Sequence, residues 1–327
     1  MRYLKALVPK VGASQFFSMA IRGGLLHCTR VRALPLGVRR CAAFALDCFT
    51  AWSRGLDEQS TPEGNPLPPR RVVTLRLRAE QRRAIVIGDV HGCAAELQAL
   101  LAKCGYERGR DVIVCAGDVV NKGPSSVDVV RFLRAEGAFA VRGNHEEAAL
   151  AFATGAGDAR SKLIAEQWSW TAELSRDDLA WLTALPFAIA LPQHNAIVVH
   201  AGLVPGVALE DQLLKDLVSM RGLVPRPCSD SKEDEDDEDN EVPRGGYATE
   251  APAACPEQRW AAQWRGPELV IFGHDAMEGL QEHPYAVGLD TGCCYGNQLT
   301  ALLLPGRELV SVEAARNYAG GARRKGD

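Results

Sequence analysis

The first half of the folded region alternates short apolar runs with amphipathic segments. The runs at 84–89 and 111–118 are rich in β-branched residues, which favour strands, and a third run covers 138–144. In 94–105 and 125–137, apolar residues recur at intervals of three and four, the spacing of one helix face. Strand, helix, strand, helix, strand predicts parallel strands joined by right-handed crossovers.

The second half contains two helical segments that end near Leu185, followed by further apolar runs joined mostly by short turns. Short turns favour antiparallel pairing, so these runs predict a second, more antiparallel sheet. The fold class is therefore α/β. The predicted later strands lie within 186–191, 195–202, 268–275, 286–292, 298–304 and 308–314.

Changes in composition divide the chain into segments. Residues 1–56 carry nine Lys or Arg and a single acid, and are predicted to be a basic leader or extension. Residues 57–83 begin with a Pro-rich polar stretch and are predicted to be a linker. The folded domain is expected at 84–317, with a disordered insertion at 224–258 and a polar tail at 318–327.

Two segments have strong and opposite charge. Residues 1–56, rich in Arg and poor in acids, are typical of an organelle transit peptide such as a mitochondrial one; an extension without an address is the alternative. Residues 230–241 hold nine acids and one Lys, and form either a solvated loop or an element that repels polyanions from a neighbouring site.

Composition narrows the location and the partners. Ten cysteines without a Cys-x-x-Cys pair indicate reduced thiols of an intracellular protein, cytoplasmic or organellar. No stretch reaches the roughly 18 consecutive apolar residues of a membrane span. The sequence has no basic recognition helix, so we do not expect it to bind duplex nucleic acid.

Polar residues follow five of the apolar runs, each together with a glycine. The five stretches are GDVHG (88–92), GDVVNKGP (117–124), GNHE (143–146), VHAG (199–202) and GHD (273–275). Because the carboxyl ends of strands in open α/β folds face a common crevice, we expect these polar residues to converge. Of the seven histidines, four lie in these stretches: His91, His145, His200 and His274.

The residue types at these strand ends suit divalent metal ions. Two Asp, one Asn and three His form a ligand set of oxygen and nitrogen without thiolate, which favours Mn, Fe, Co or Zn. Two ions about 3.5–4 Å apart would clamp a phosphoryl group and supply hydroxide at neutral pH for in-line attack. The predicted ligands are Asp89 and His91 for one ion, Asn144, His200 and His274 for the other, and Asp118 as the bridge.

Neighbours of these ligands receive other predicted roles. His145, adjacent to Asn144 but aimed elsewhere, is the candidate general acid that protonates the leaving oxygen. Glu146 and Glu147 fall in the first turn of a helix and are interpreted as charges that the helix dipole favours. The adjacent cysteines 293 and 294 are interpreted as small packing residues.

The five stretches resemble the calcineurin-like metallophosphoesterases, within the phosphoprotein phosphatase superfamily. The resemblance covers residues 84 to about 315, and GDVVNKGP, MRGL (220–223), FGHDAMEGLQ and GLDTGCCYGNQLTAL are most similar to ApaH-like phosphatases, relatives of bacterial symmetrical diadenosine tetraphosphatase. It implies a central mixed β-sandwich flanked by helices, with a dinuclear metal site at its edge. It also implies the metal roles given above and the proton-donor role of His145.

Two features depart from the superfamily's pattern. Protein Ser/Thr phosphatases have Asp-Arg where this chain has Asn121 and Lys122. An Asp would raise the pKa of the catalytic histidine, whereas Asn121 orients the ring without adding charge. Lys122 keeps a positive phosphate contact but lacks the planar fork of Arg. In place of the general Gly-His-x-His motif, only His274 is present.

Two arginines complete the predicted substrate contacts. Arg221 matches a position that contacts phosphate in the family's pattern, and Arg142 is either a further substrate contact or a structural arginine. Together with Lys122 they would suit a substrate with several phosphates, each with its own charge-assisted partner.

Three functions are compatible with this sequence. The first is a metal-dependent phosphatase or pyrophosphatase that hydrolyses phosphoric anhydrides: dinucleoside polyphosphates, nucleotide or RNA-cap polyphosphates, or inorganic polyphosphate. The second is a protein serine/threonine phosphatase with the same metal site. The third is an adaptor whose acidic insertion binds a basic partner, against which the intact ligand set argues.

Overall fold

The computed structural model describes residues 60–155, 166–224, 247–250 and 258–320. All of them belong to the second of two units into which the chain divides, Gln59–Asp327. The predicted leader, 1–56, and the acidic run, 230–241, lie outside the described residues.

Strands and helices alternate through most of this unit. The strands are β1 (Val72–Thr74), β2 (Arg83–Ile87), β3 (Asp111–Cys115), β4 (Phe139–Ala140), β5 (Ala188–Leu191), β6 (Ala196–Val199), β7 (Gly222–Val224), β8 (Tyr247–Thr249), β9 (Leu269–Phe272), β10 (Gln281–His283), β11 (Ala286–Gly288), β12 (Gln298–Leu304) and β13 (Glu308–Glu313). The α-helices are α1 (Ala94–Lys103), α2 (Ser126–Ala135), α3 (Asn144–Thr154), α4 (Arg176–Ala184), α5 (Leu214–Ser219) and α6 (Trp260–Gln263). Short 3-10 helices cover Ser169–Glu173, Pro192–His194 and Leu209–Asp211.

The larger strands form two sheets. One has the order β13-β12-β2-β3-β4 and the other β1-β5-β6-β9-β11-β10, while β7 and β8 form a separate hairpin. Strands β2, β3 and β4 pair in parallel, with α1 and α2 in the connections, which confirms the predicted alternation. The third strand is shorter than predicted, because helix α3 begins at Asn144, directly after its glycine turn.

Three apolar layers show that the sheets pack as a sandwich flanked by helices. Strand β2 is buried on both faces: Ile85 and Ile87 face the layer beneath the helices, and Ala84 and Val86 face the layer between the sheets. A third layer covers the outer face of the six-stranded sheet, where Trp260 packs against Phe272. This arrangement confirms the predicted α/β fold with a mixed β-sandwich.

The predicted membership of the second sheet is partly wrong. Strands β12 and β13 extend the first sheet as antiparallel neighbours of β2, and they do not join the second sheet. Within the second sheet, β6 pairs with β9 in parallel, since helices α5 and α6 lie in the long connection between them. Strand β9 also pairs with β11 in parallel, and β10 lies in the connection between those two. Antiparallel pairing is confined there to β5 with β6 and β10 with β11.

Three predicted boundaries also change. Within the proposed linker 57–83, strand β1 pairs with β5, so the described part of this segment belongs to the folded unit. Within the proposed disordered insertion 224–258, strand β8 pairs with β7; most of the rest lies outside the described residues. At the start of the proposed tail, the Tyr318 hydroxyl donates to Glu96, and residues 321–327 lie outside the described residues.

None of the described helices combines the length and the apolar composition that a membrane crossing requires. The five described cysteines are free and buried, including Cys293 and Cys294, as the packing interpretation predicts.

A buried carboxylate anchors the start of strand β3. Asp111 accepts hydrogen bonds from Arg82 Nε at 2.9 Å, Arg83 Nε at 3.0 Å and the Glu107 amide at 2.8 Å. Burial alone raises the pKa of this carboxyl, but the hydrogen bonds from the two arginines outweigh it and lower the pKa to about 2. The folded state therefore favours the ionised form of Asp111.

We expect Asp111→Asn to lower the free energy of unfolding at pH 7 by about 2 kcal/mol, the value of the pKa depression. Because the folded pKa lies below the unfolded one, this stabilisation is present above about pH 4 and is lost as the pH falls toward 2. Denaturant unfolding of both proteins at several pH values measures it. If the free energies of unfolding of the two proteins differ by the same amount at pH 7 and near pH 3, the stabilisation by Asp111 is not electrostatic.

Candidate metal centre

Polar side chains from five strand ends meet at one edge of the two sheets. Asp118, after β3, is their centre: its carboxylate oxygens lie 3.6 Å from His91 Nε2 and 3.4 Å from His200 Nε2. His91 Nε2 also lies 4.0 Å from Asp89 Oδ2. Among the described residues, two sets of donor atoms close enough to hold a metal ion share Asp118: one with His91 and His145, the other with Asp89 and His200.

Asn144 joins the remaining predicted ligands to this centre. Its Oδ1 lies 2.9 Å from His200 Nε2 and 3.1 Å from His274 Nδ1. The backbone amide of His274 in turn donates to the Asp89 carboxylate at 3.1 Å. The structure therefore brings all six predicted ligands together, from positions 89 to 274 of the sequence.

Backbone carbonyls fix the orientation of three histidine rings. Each ring has one nitrogen near a carbonyl oxygen, which can only accept a hydrogen bond, so that nitrogen must carry the proton. The pairs are His91 Nδ1 with Val120 O at 3.1 Å, His200 Nδ1 with Ala116 O at 2.9 Å, and His274 Nε2 with Ser219 O at 3.2 Å. The other nitrogen of each ring therefore carries no proton and faces the shared Asp and Asn side chains, the arrangement found in metal-binding histidines.

The backbone at this edge adopts conformations that most side chains avoid. In the part of the chain that the structure describes, seven non-glycine residues have positive φ, and five of them lie at this centre: His91, Asp118, Asn121, Lys122 and His274. Each costs about 1–3 kcal/mol and persists only where surrounding contacts enforce it. Such strain is typical of functional sites.

Two glycines allow the backbone to pass close to the carboxylates. A Cβ at Gly273 would collide with Asp89 Oδ1, and a Cβ at Gly143 would collide with Asp118 Oδ1. Only glycine leaves room for these two carboxylates, which explains the glycine at each of these two strand ends.

Several buried carboxyl groups lie close together at this centre. Burial raises the pKa of Asp89 well above its usual range, and the neighbouring carboxylates of Asp290 and Asp118 raise it further. Burial also raises the pKa of Asp118, but its electrostatic interactions with His200, His145, His91 and Lys122 together lower it more, so its net shift is downward. Buried carboxylates that repel one another, beside histidines whose second nitrogen carries no proton, fit a pair of divalent cations.

His145 lies beside this centre and is oriented by Asn121. The Asn121 side-chain nitrogen lies 2.8 Å from His145 Nδ1. An amide nitrogen only donates, so Nδ1 accepts and the neutral ring carries its proton on Nε2. Burial lowers the pKa of His145 to about 4, which favours this neutral form. The His145 Nε2 atom points toward Asp118 Oδ2, at 3.9 Å.

Lys122 and Arg221 place positive charge on two sides of the centre. Lys122 Nζ lies 2.9 Å from His91 Nε2 and 5.2 Å from the centroid of the Tyr295 ring. Arg221 lies on the His274 side: its Nε is 3.8 Å from Asp275 Oδ1, and its Nη1 donates to the Glu250 carbonyl at 3.0 Å. The Arg221 side chain is 28% exposed, so part of it faces solvent.

The structure contradicts a substrate role for Arg142. The side chain is fully buried, its Nη1 donates to Glu147 Oε1 at 2.7 Å, and its Nη2 donates to the Thr183 carbonyl. Its guanidinium also lies over the Phe187 ring, 5.1 Å from the centroid. Of the two predicted roles, substrate contact or structural arginine, the structure supports the structural one for Arg142.

The interpretation of Glu146 as a simple helix charge missed its main contacts. Its buried carboxylate accepts from the amides of Asp118, Val119 and Gly143, each at 2.8 Å, so it holds the turn that carries Asp118. The pattern that could have revealed this is the capping box, an acidic residue three positions after the residue that caps the helix.

Asp290 was missed as well, although it too follows an apolar strand and precedes a glycine. Its buried carboxyl is hydrogen-bonded to Asp89 and accepts from the Gly292 amide at 3.1 Å. The strand-end rule that found the other polar residues applies equally to Asp290 after β11.

A model of the calcineurin-like phosphoesterase family matches residues 82–278, a segment that holds all six candidate ligands. The chain belongs to the calcineurin-like phosphoesterase family. Members of this family are metal-dependent, and this calcineurin-like phosphoesterase is a hydrolase of phosphoester or phosphoanhydride bonds.

Individual relatives of this calcineurin-like phosphoesterase are named for a nucleotide substrate. It is 29% identical over 276 residues to the symmetrical bis(5'-nucleosyl)-tetraphosphatase of Coxiella burnetii, covering 71% of this chain and 91% of the relative. It is 30% identical over 258 residues to the enzyme of the same name from Shewanella oneidensis, covering 65% and 92%.

A solved structure described as a putative diadenosine tetraphosphatase is 35% identical to the chain, with a TM-score of 0.62. The match covers 75% of this chain and 98% of that one. The similarity therefore extends over nearly the whole of the solved structure and supports the fold described above.

Proposed function

We propose that this calcineurin-like phosphoesterase hydrolyses the phosphoric anhydrides of dinucleoside polyphosphates, with two divalent cations held by the six strand-end side chains. The observation that carries the proposal is the orientation of the three histidines, each with one nitrogen fixed on a backbone carbonyl and the other facing Asp118 or Asn144. The names of the relatives from Coxiella burnetii and Shewanella oneidensis support the substrate class.

The ligand set assigns each ion its residues. We propose that Asp89 and His91 hold one ion and Asn144, His200 and His274 the other, with Asp118 shared. Oxygen and nitrogen donors without thiolate suit Mn, Fe, Co or Zn. When bound, such a pair polarises phosphoryl oxygens and lowers the pKa of water enough to supply a nucleophile at neutral pH.

The residues around the ligands supply the rest of the chemistry. His145 is the proposed general acid: in its imidazolium form it gives the Nε2 proton to the oxygen that leaves phosphorus and becomes neutral, and Asn121 keeps the ring in the orientation that this requires. The buried Trp168 ring packs beside the His145 ring, with 6.0 Å between the ring centroids, and shields it from water. The acid therefore works from a fixed, largely dry position.

Charge around the centre favours a substrate with several phosphates. Burial lowers the pKa of Lys122, but Asp118, Cys294 and Tyr295 together raise it more, so the ammonium stays charged beside His91. Arg221 offers a second cation on the His274 side. Two separate positive groups can neutralise successive phosphates of one chain, because each phosphate takes its own charge-assisted hydrogen bonds.

A parallel substrate panel tests this proposal. Diadenosine tetraphosphate, inorganic polyphosphate, a capped RNA and a phosphoserine peptide are compared by kcat/KM, each with Mn and with excess chelator. We expect the tetraphosphate to be hydrolysed with the highest kcat/KM and the chelator to abolish turnover.

The Asp118→Asn variant, purified in the same way, is the control for contaminating phosphatases. Turnover of the phosphopeptide alone would contradict the proposal and support a protein serine/threonine phosphatase. Equal turnover with chelator would contradict a metal-dependent reaction at this site.

A further inference from the structure

Residues 60–66, which we call the N-terminal clamp, form a compact turn that is buried against helix α3. Thr61 and Asn65 retain only 4% and 0% of their exposure. Within the turn, the Thr61 amide donates to the Asn65 carbonyl at 2.8 Å, and the Asn65 amide donates to Thr61 Oγ1 at 3.2 Å. These internal bonds fix both side chains toward the helix.

Both clamp side chains contact one residue of the helix, Glu147. The Thr61 hydroxyl donates to Glu147 Oε2. Asn65 Nδ2 donates to the Glu147 carbonyl oxygen at 2.8 Å and to Oε2 at 3.2 Å. The other carboxylate oxygen, Oε1, accepts from Arg142, whose guanidinium also donates to the Pro66 carbonyl at 3.4 Å. Clamp, arginine and glutamate thus form one closed, buried network.

The network holds the helical turn that carries two candidate site residues. Glu147 lies in the first turn of α3, two positions after His145 and three after Asn144. In the same turn, the Glu146 carboxylate contacts a different part of the chain: it accepts hydrogen bonds from the backbone amides of Asp118 and Val119. The helix start is therefore fixed on one side to the bridging aspartate's loop and on the other side to the clamp.

We propose that the N-terminal clamp is a positioning element of the active centre, in which Thr61 and Asn65 act through Glu147 to hold Asn144 and His145 in place. The clamp precedes the segment 82–278 that the family model matches. The inference rests on the proposed function for its catalytic consequence, since a proton donor displaced by about 1 Å loses up to about 10²-fold in rate.

The test uses the full chain with both clamp contacts removed, as Thr61→Val with Asn65→Ala. Thr61→Ser keeps the hydroxyl and is the conservative variant. Thr300→Val is the matched control: it removes another buried threonine hydroxyl, which lies near Thr291 and Ser311 and not on helix α3.

Kinetics provide the first readout. We expect the double variant to lower kcat by about 10- to 100-fold with KM changed less than about twofold, because the reacting groups shift while the phosphate contacts remain. Thr61→Ser and Thr300→Val should keep kcat near that of the wild type. An unchanged kcat in the double variant, or an equal loss in Thr300→Val, would overturn the proposal.

Hydrogen–deuterium exchange provides a readout that does not depend on activity. Peptides that cover 142–154 should exchange faster in the double variant than in the wild type and in Thr300→Val. Unchanged exchange would overturn the clamp even if activity fell. If the wild type hydrolyses no substrate of the panel, the proposed function fails, whereas the exchange result still decides whether the clamp orders this turn.

Discussion

Replacement of Asp118 by Asn is expected to lower kcat on the order of 10³-fold, because this carboxylate is shared by both sets of metal donors. The change is isosteric. Asp118 Oδ1 accepts from the His145 amide at 2.9 Å, and an asparagine oxygen can accept the same hydrogen bond. The fold around the turn should therefore persist, while the negative charge that would be shared by the two proposed metal sites is lost.

Steady-state kinetics and metal content, both at a fixed free concentration of Mn, measure this effect. We expect fewer bound ions per chain together with the loss of kcat, and a circular dichroism spectrum like that of the wild type. A variant within tenfold of the wild-type kcat would show that Asp118 does not serve as the bridge.

Replacement of His145 by Ala is expected to lower kcat by about 10²- to 10⁴-fold without loss of bound metal, because a general acid contributes this much to a rate. The distinction matters, since His145 Nε2 lies close enough to Asp118 and His91 for His145 to act as a ligand instead. A proton donor and a ligand differ in one observable, the number of ions retained.

The matched variant is Asn121→Ala, which removes the partner of His145 Nδ1 and leaves the ring itself. It should show a smaller loss of kcat than His145→Ala, again with metal content unchanged. Loss of an ion from His145→Ala would assign this histidine to the metal centre and remove it as the acid.

The site was predictable because its signals are local. The candidate ligands lie within a few residues of a strand end and close to a glycine in sequence, as Asp89 does after β2 and His274 after β9. Parallel strands bring such ends to one edge, so sequence position alone indicated their meeting. The tight approach of Gly273 to Asp89 shows why the glycines accompany them.

Features that depend on distant contacts could not be predicted in the same way. Strand β12 was recognised within its correct bounds, yet only tertiary pairing with β2 assigns it to the first sheet. Arg142 can be buried because its guanidinium donates hydrogen bonds to the Glu147 carboxylate and to the Thr183 carbonyl. Neither partner is evident from the residues that flank Arg142 in sequence.

The clamp illustrates a pattern with two meanings. Pro, Gly, Ser and Thr around 60–66 are typical of linkers, and the same residues also form tight turns that bury polar side chains. Only the contacts of Thr61 and Asn65 with Glu147 distinguish these two outcomes.

The most direct measurement of the central claim is the number and position of bound cations in the purified, Mn-replete full chain. Elemental analysis by mass spectrometry gives the stoichiometry, and anomalous diffraction from a crystal locates the ions. We expect two ions per chain, both in contact with Asp118, one beside His91 and the other beside His200. One ion or none, or ions bound away from these side chains, would contradict the account.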